Sequence, residues 1–340
     1  MKKFLALSLA LALIFSLAGC KNEKEAENND ASSLTKDEIV ARFLEKADEV
    51  VISDSSVTFT DGAGSEVTIE KNPQKTASLY NSLTTLWYEA GGSVTGAIGS
   101  EQAKALYIDT IGRDITEDEG VEVLATFTTP RKWNMENIIA SSPDLFLVST
   151  AMGGYDTLKG PAKAANIPVI AADYDDLSDY LKWFKVFSAL TGNENLFNEV
   201  ALKTLDEAAD IIASAPKENN PTVFSMFATA KSIQANTRAT VTGGMLNDLN
   251  AKNIVDTWEN PENSSRLTVN LESVYAADPD IIFVQCMSSI EEAEEMVEET
   301  FGSNPVWKSL RAVKEGNVHY LPKELFHNKP TADTMRHIRY

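Results

Sequence analysis

The side chains in this sequence that could do chemistry are arginines in a small set of loops. Three of the eight arginines, Arg131, Arg238 and Arg266, fall in loops that follow apolar, strand-like runs. A guanidinium group donates two parallel hydrogen bonds to a carboxylate or phosphate. These residues therefore predict an anionic ligand, even though the chain has a formal net charge of -20. The alternative is that each arginine forms an ion pair with a neighbouring carboxylate at the surface.

Aromatic residues in or near these loops could supply apolar surface for a macrocycle or an aromatic ligand. Trp133 lies in a loop beside Arg131 and is the better candidate. Trp87 lies at helical spacing behind Leu83, which favours packing in the core. Trp258 is a further candidate. The residues predicted to bind the ligand are Tyr80, Asn81, Arg131, Trp133, Tyr155, Arg238 and Arg266.

Several function classes are disfavoured by what the sequence contains. Only three histidines are present, His319, His327 and His337, and their spacing makes a shared metal site improbable. The sequence has no Gly-x-Ser-x-Gly elbow, no Gly-x-x-x-x-Gly-Lys loop and no His-Glu-x-x-His pair. The acidic balance argues against binding to nucleic acid. We therefore predict no catalytic residue, no protein-bound metal and no cofactor.

An internal repeat shows which elements must position these loops. Residues 134–148 recur as residues 270–284 without a gap. Each copy begins with an asparagine that can cap a helix, places a glutamate in the first turn (Glu136 and Glu272), and passes through Pro-Asp into an apolar strand. Two copies of one helix-strand unit predict two similar lobes.

The remaining pattern predicts the fold class and its boundaries. Strands alternate with helical segments, which favours mainly parallel sheets. Residues 193–215 carry one long helical pattern, about 35 Å at 1.5 Å per residue. We predict an α/β protein with two Rossmann-like lobes joined by this long α-helix. The predicted segments are a signal peptide (1–19), a flexible tether (20–33), an N-terminal helix and lead-in (34–56), an N-terminal lobe (57–192), the interlobe helix (193–215) and a C-terminal lobe (216–340).

The first residues have the features of an export signal. Lys2 and Lys3 precede an apolar run over residues 4–17 that is too short to span a membrane. The motif Leu17-Ala18-Gly19-Cys20 resembles the bacterial lipobox, which implies that Cys20 is lipidated after cleavage. Anchoring through Cys20 would place the protein at the outer face of the cytoplasmic membrane. Cys286 is the one other cysteine, so no disulfide is expected in the mature domain.

Several motifs in one order resemble a known family. They are the hairpin that ends in residues 67–69, the segment 78–82, the two repeats with Pro-Asp, the segment 164–169, Gly243-Gly244 before Leu246, and the segment 310–318. Together, over about residues 57–330, they resemble the iron-complex and vitamin B12 class of binding proteins that serve ABC importers.

This resemblance implies a function and a set of partners. The ligand, a ferric siderophore, haem or cobalamin, would lie between the lobes. Glu136 and Glu272 would dock onto basic residues of the permease, which works with an ATPase. The alternatives are a lipid-anchored extracytoplasmic enzyme or an adhesive lipoprotein on the same scaffold.

Overall fold

A computed structural model describes residues 34–326 of the chain. The predicted signal peptide and tether, with the predicted lipidation site Cys20, lie outside the described residues. Over residues 34–326 no helix has both the length and the apolar character needed to cross a membrane.

An N-terminal helix and a small antiparallel sheet come first in the chain. Thr35 and Glu38 have the spacing that predicts a capping box, and helix α1 (Lys36–Asp48) begins with it. The Glu38 amide donates to the Thr35 side chain, and the Thr35 amide donates to the Glu38 carboxylate. The strands β1 (Val51–Ile52), β2 (Ser56–Thr60) and β3 (Glu66–Glu70) form one sheet, and β2 with β3 is the predicted hairpin. The Gly62 amide in the hairpin turn donates to the Ala171 carbonyl at 2.6 Å, which fastens the hairpin to the next sheet.

The first lobe is built on a parallel sheet. Its elements in chain order are β4 (Thr76–Ser78), α2 (Asn81–Glu89), β5 (Gly96–Ile98), α3 (Glu101–Ile111), β6 (Glu122–Ala125), α4 (Met135–Ala140), β7 (Leu145–Ser149), α5 (Gly154–Ala164), β8 (Val169–Ala172) and α6 (Leu177–Leu190). The strand order is β6-β5-β4-β7-β8, and all four pairings are parallel. All five residues of β7 are buried, as expected for a strand in a parallel sheet covered by helices.

A long helical segment joins the two lobes. It begins with a π-helical turn over Phe197–Leu202 and continues as α7 (Lys203–Ser214). The predicted interlobe helix is therefore present, but its first turns are wider than those of the expected uninterrupted α-helix. The apolar spacing identifies the buried side of the helix, yet it does not distinguish a π-helical turn from an α-helical one.

The second lobe contains a mixed sheet. Its elements are β9 (Thr222–Ala228), β10 (Ile233–Asn236), α8 (Val241–Asp248), β11 (Lys252–Asn253), β12 (Arg266–Thr268), α9 (Leu271–Ala277), β13 (Ile281–Cys286), α10 (Ile290–Val297), α11 (Pro305–Ser309), α12 (Arg311–Glu315), β14 (Val318–Leu321) and α13 (Lys323–Phe326). The strand order is β12-β10-β9-β13-β14, with β11 beside β9. The pairings of β10 with β9 and with β12 are antiparallel, and the others are parallel.

The two copies of the sequence repeat form equivalent elements. Asn134 caps α4 by accepting from the Glu136 amide, and Asn270 caps α9 by accepting from the Glu272 amide. The strand that follows each helix, β7 or β13, pairs with the first strand of its lobe, β4 or β9. The predicted fold class, two α/β lobes with mainly parallel sheets and a connecting helix, is thereby confirmed. The exact lobe boundaries stay predictions.

Helix α1 contacts both lobes and the helix between them. Its buried face packs on α6 and α7 through Ile39, Phe43 and Ala47. Three ion pairs fasten it to three different helices: Lys36 to Asp206 on α7 (2.6 Å), Arg42 to Asp248 on α8 (2.9 Å) and Lys46 to Asp179 on α6 (2.6 Å).

Candidate ligand-binding site

A cleft of about 560 Å³ lies between the two lobes. In the first lobe it is lined by residues that follow the strands β4, β6, β7 and β8, and in the second lobe by α8, β12 and the end of β13. Ligands of open α/β sheets bind beyond the carboxyl ends of parallel strands, so this position agrees with that rule. The residues that line it include Tyr80, Thr128 and Asp175 from the first lobe and Thr240, Arg266 and Gln285 from the second.

Two helix N-termini open into the cleft. Helix α2 begins at Asn81 after Tyr80, whose side chain makes no capping hydrogen bond. Helix α8 begins after Thr240, whose hydroxyl accepts from the Gly243 amide at 3.1 Å. The free amides at a helix N-terminus carry a partial positive charge. Both N-termini favour an anion, while Asp175 adds one carboxylate to the first-lobe side of the cleft.

Arg266 supplies a full positive charge to the same cleft. Its side chain is half-buried on β12, and its Nε donates to Oδ1 of Asn236 at 3.1 Å. The guanidinium carbon lies 4.1 Å from the centre of the Phe227 ring. None of the carboxylates whose side chains the structure describes forms an ion pair with Arg266. Burial lowers the pKa of its guanidinium group, as expected for a cation removed from water without an anionic partner.

The other two predicted arginines lie elsewhere. Arg238 is exposed, pairs with Asp256 at 3.5 Å, and borders an adjoining cavity of about 420 Å³ between α1 and α8, not the cleft itself. Arg131 is exposed in the short 3-10 turn Pro130–Lys132 and is not among the residues that line the cleft. The local pairing considered as an alternative is therefore found for Arg238.

The predicted aromatic surface is largely absent from the cleft. Trp133 is 9% exposed and donates its indole hydrogen to the Phe127 carbonyl at 2.8 Å, so it packs in the core of the first lobe. Tyr155 lines a different groove beside the hairpin. Trp87 lies in the core, as expected. Of the predicted aromatic residues only Tyr80 lines the cleft described here, because the other rings pack against their own lobe.

Further residues at the cleft were not among the seven predicted to bind the ligand. Thr240 caps α8. Gln285 is the second-last residue of the buried strand β13, and 2% of its surface is exposed. Asn236 is fully buried behind Arg266. A polar side chain near the end of an apolar strand was the available signal for Gln285 and Asn236.

Glu136 and Glu272 are exposed in the first turns of α4 and α9. Neither carboxylate has a hydrogen bond or ion pair to another residue in the described part of the chain. Both are thus accessible to a partner. Within residues 34–326 no group of three or more His, Cys, Asp or Glu side chains is arranged to hold a metal ion.

Comparisons with known proteins agree with this architecture. A protein-family model described as "Periplasmic binding protein" matches residues 77–325. The Fe(3+)-citrate-binding protein YfmC of Bacillus subtilis (strain 168) is 24% identical over 315 residues, which cover 92% of this chain and 87% of that protein. The iron-uptake system-binding protein of the same organism is 23% identical, with 94% of this chain and 90% of that protein covered. The solved structure of S. aureus IsdE complexed with heme is 17% identical, with a TM-score of 0.60, and covers 78% of this chain and 96% of that one.

Proposed function

The chain belongs to the periplasmic binding protein family, and from this we propose that it is the lipid-anchored substrate-binding protein of an ABC importer for a chelated-iron compound. The observation that carries the proposal is Arg266, a half-buried cation that lines the interlobe cleft and has no carboxylate partner among the described residues. Relatives along most of the chain are named for binding ferric citrate and for iron uptake, which supports the same ligand class.

The second-lobe side of the cleft favours a chelate with anionic oxygens, whereas Asp175 adds a carboxylate on the first-lobe side. Arg266 can bind one carboxylate or a similar group, and the N-termini of α2 and α8 can accept further negative charge. Tyr80 is the one aromatic residue among the described cleft residues, which gives little stacking surface for a flat macrocycle. We therefore place an oxygen-rich ferric chelate ahead of haem and cobalamin.

In this proposal the protein binds and hands over its ligand without chemical change. The iron arrives already chelated, so recognition depends on the chelate and on its net charge. Cys20 would hold the protein at the membrane, and Glu136 with Glu272 would dock on the permease, whose ATPase supplies the energy. An enzyme or adhesive lipoprotein on this fold is the rival function.

A binding screen with a matched pair of arginine variants tests the proposal. Detergent-solubilised protein is titrated with ferric citrate, a ferric hydroxamate, haem and cobalamin, and we expect saturable one-to-one binding of a ferric chelate. Arg266→Glu should weaken that binding on the order of 10–100-fold, since hydrogen bonds to charged groups contribute about 1.5–3 kcal/mol and the new charge repels the ligand. Arg131→Glu makes the same charge change outside the cleft and should leave the affinity within about twofold.

Three results would contradict the proposal. Equal affinities in the two arginine variants would show that Arg266 does not contact the ligand. Conversion of a ligand to product would favour the enzyme. Binding to a surface polymer, with no small ligand bound, would favour the adhesive lipoprotein.

A further inference from the structure

A row of hydrogen-bonded side chains crosses the sheet of the second lobe and ends in the cleft. Arg266 on β12 and Asn236 on β10 are directly paired positions, and Arg266 Nε donates to Asn236 Oδ1 at 3.1 Å. Asn236 Nδ2 donates to Gln285 Oε1 on β13 at 3.1 Å. Gln285 Nε2 donates to the Phe326 carbonyl at 2.6 Å. Asn236 and Gln285 are 0% and 2% exposed, so these bonds are shielded from bulk water.

The donor and acceptor of every hydrogen bond in this row follow from the bond at Phe326, the end opposite Arg266. A main-chain carbonyl only accepts, so Gln285 must turn its amide nitrogen toward Phe326 and its oxygen toward Asn236. Asn236 must then present its nitrogen to Gln285, and the same nitrogen donates to the Met226 carbonyl at 3.2 Å. The oxygen of Asn236 is thereby left for a donor, and the Nε–H group of Arg266 is that donor.

The same contacts restrict the guanidinium group. Its carbon lies 4.1 Å from the centre of the Phe227 ring, and its Nε–H group donates to Asn236. The two Nη groups have no hydrogen-bond acceptor among the side chains and backbone groups that the structure describes. These Nη groups are a pair of parallel donors of the kind that binds one carboxylate.

We propose that Asn236 and Gln285 are positioning residues for ligand binding, which hold Arg266 with its two Nη groups toward the cleft. The inference rests on the proposed function for the charge of the ligand, whereas the orientation of Arg266 is a property of the protein alone. Neither amide needs to contact the ligand, because each acts through its hydrogen bond to the next residue in the row. Their effect on affinity passes through the arginine.

Core packing alone does not explain this row. The amides satisfy the main-chain carbonyls of Met226 and Phe326, which a role in stability would explain, but stability does not require an acceptor directed at Arg266. What the amides add is a directed acceptor for a half-buried cation, and that acceptor also limits the rotamers of a long side chain. A fixed arginine loses less conformational entropy when it binds its ligand.

A double-variant cycle on the full-length protein in detergent tests the proposal. We expect Asn236→Leu to raise the Kd for ferric citrate on the order of tenfold, because a hydrogen bond to a charged group is lost. In an Arg266→Gln background the same change should alter the Kd by less than about twofold, because the two residues act as one unit.

A second readout needs no ligand. The Arg266 Nε–H resonance, one of eight arginine signals, should be protected from solvent exchange in the wild-type protein and should lose that protection in Asn236→Leu and in Gln285→Leu. The control is Asn253→Leu, which removes a buried amide that donates to the Asn236 carbonyl at 2.8 Å and does not contact Arg266. This control should lower the unfolding temperature and leave both the Kd and the Arg266 resonance unchanged.

The outcomes separate the two proposals. If wild-type protein binds ferric citrate but the effects of the Asn236 and Arg266 changes simply add, the positioning role is wrong and the proposed function stands. If wild-type protein binds no ferric chelate, haem or cobalamin, the proposed function is wrong. The Arg266 resonance then decides: equal exchange in wild type and Asn236→Leu overturns the positioning role, and faster exchange in the variant supports it.

Discussion

The carboxylate of Asp248 is a titratable group at the contact between α1 and the second lobe. Its carboxylate accepts a hydrogen bond from Arg42 at 2.9 Å. Burial nevertheless raises the pKa of Asp248 to about 6, with a smaller contribution in the same direction from Asp176, while Arg42 opposes the shift. Because the pKa is higher in the folded protein than in the unfolded chain, the folded state binds more protons between pH 4 and 6. Stability from this residue is therefore lost as the pH rises through about 6.

Asp248→Asn should remove this dependence. Relative to wild type, the free energy of unfolding of the variant should rise by about 1–2 kcal/mol between pH 4 and pH 7.5, a value reduced because a quarter of the carboxylate side chain is exposed to water. Urea unfolding at a series of pH values measures the difference. Asp109→Asn, which removes an exposed carboxylate on α3 that has no ion pair among the described residues, provides the control curve. Parallel curves for wild type and Asp248→Asn would contradict the shifted pKa.

The sequence identified candidate arginines but could not tell which of them meets the ligand. Arg238 and Arg266 both follow strand-like runs and look alike in the sequence. Their roles differ because Arg238 meets Asp256, 18 residues away, whereas Arg266 meets Asn236, 30 residues away. Such contacts depend on strand pairing across the sheet, which a local pattern of residue types does not contain. For the same reason the sequence did not separate a core tryptophan such as Trp133 from one in the cleft.

At the scale of elements, the hairpin of β2 and β3 depends on one close approach of the backbone. The Gly62 amide donates a hydrogen bond to the Ala171 carbonyl on β8. A Cβ atom at Gly62 would clash with the backbone nitrogen of Asp173 and would lie 2.7 Å from its Oδ1. Glycine is therefore required here by lack of space. The hairpin thereby occupies one backbone carbonyl of β8, which is an edge strand of the first lobe's sheet.

Gly62→Ala should destabilise the protein by about 1–3 kcal/mol, since the clash is with the backbone and cannot be relieved by a rotamer change. Denaturant unfolding measures the effect. The matched control is Gly244→Ala in α8, where the added methyl group meets its nearest atom at an ordinary 3.5 Å and should be neutral or stabilising by up to about 1 kcal/mol. Equal stabilities of wild type and Gly62→Ala would show that the turn can move away from β8.

Helices that begin with a clear capping residue could be predicted from the sequence, whereas several elements without such a residue could not. The capping box of Thr35 and the caps Asn134 and Asn270 marked three helix starts that the structure confirms. Helix α6 was not predicted, although it is 14 residues long. Eleven of its residues are buried, so it lacks the polar face that makes a helical period visible. The strands β5 and β6, of three and four residues, were too short to show an alternating pattern.

At the scale of the whole molecule, the repeat gives the two lobes one equivalent acidic position each. Glu136 and Glu272 are exposed and belong to equivalent helices. A partner with two related subunits could contact both at once, and two moderate contacts would then reinforce each other.

Charge reversal at both positions should separate ligand binding from delivery. The double change Glu136→Lys and Glu272→Lys should leave the Kd of the ferric chelate within about twofold, because both residues lie outside the cleft, and should reduce uptake by the reconstituted importer on the order of tenfold or more. Uptake of chelated ⁵⁵Fe into proteoliposomes measures this. Glu299→Lys, an exposed change on the same lobe as Glu272, is the control. Normal uptake with the double variant would exclude docking through these glutamates.

The hydrogen-bonded row behind Arg266 also predicts how this lobe can change in evolution. It starts at the carbonyl of Phe326, a group that every amino acid carries, so residue 326 can be replaced without loss of that bond. Gln285 and Asn236 have no such freedom, because reversing one amide would place two donors or two acceptors face to face. We expect descendants of this chain to exchange the buried Phe326 for other apolar residues, while positions 236, 266 and 285 are kept or exchanged together. At the Phe326 end of the row, selection then preserves the backbone path of the last described helix.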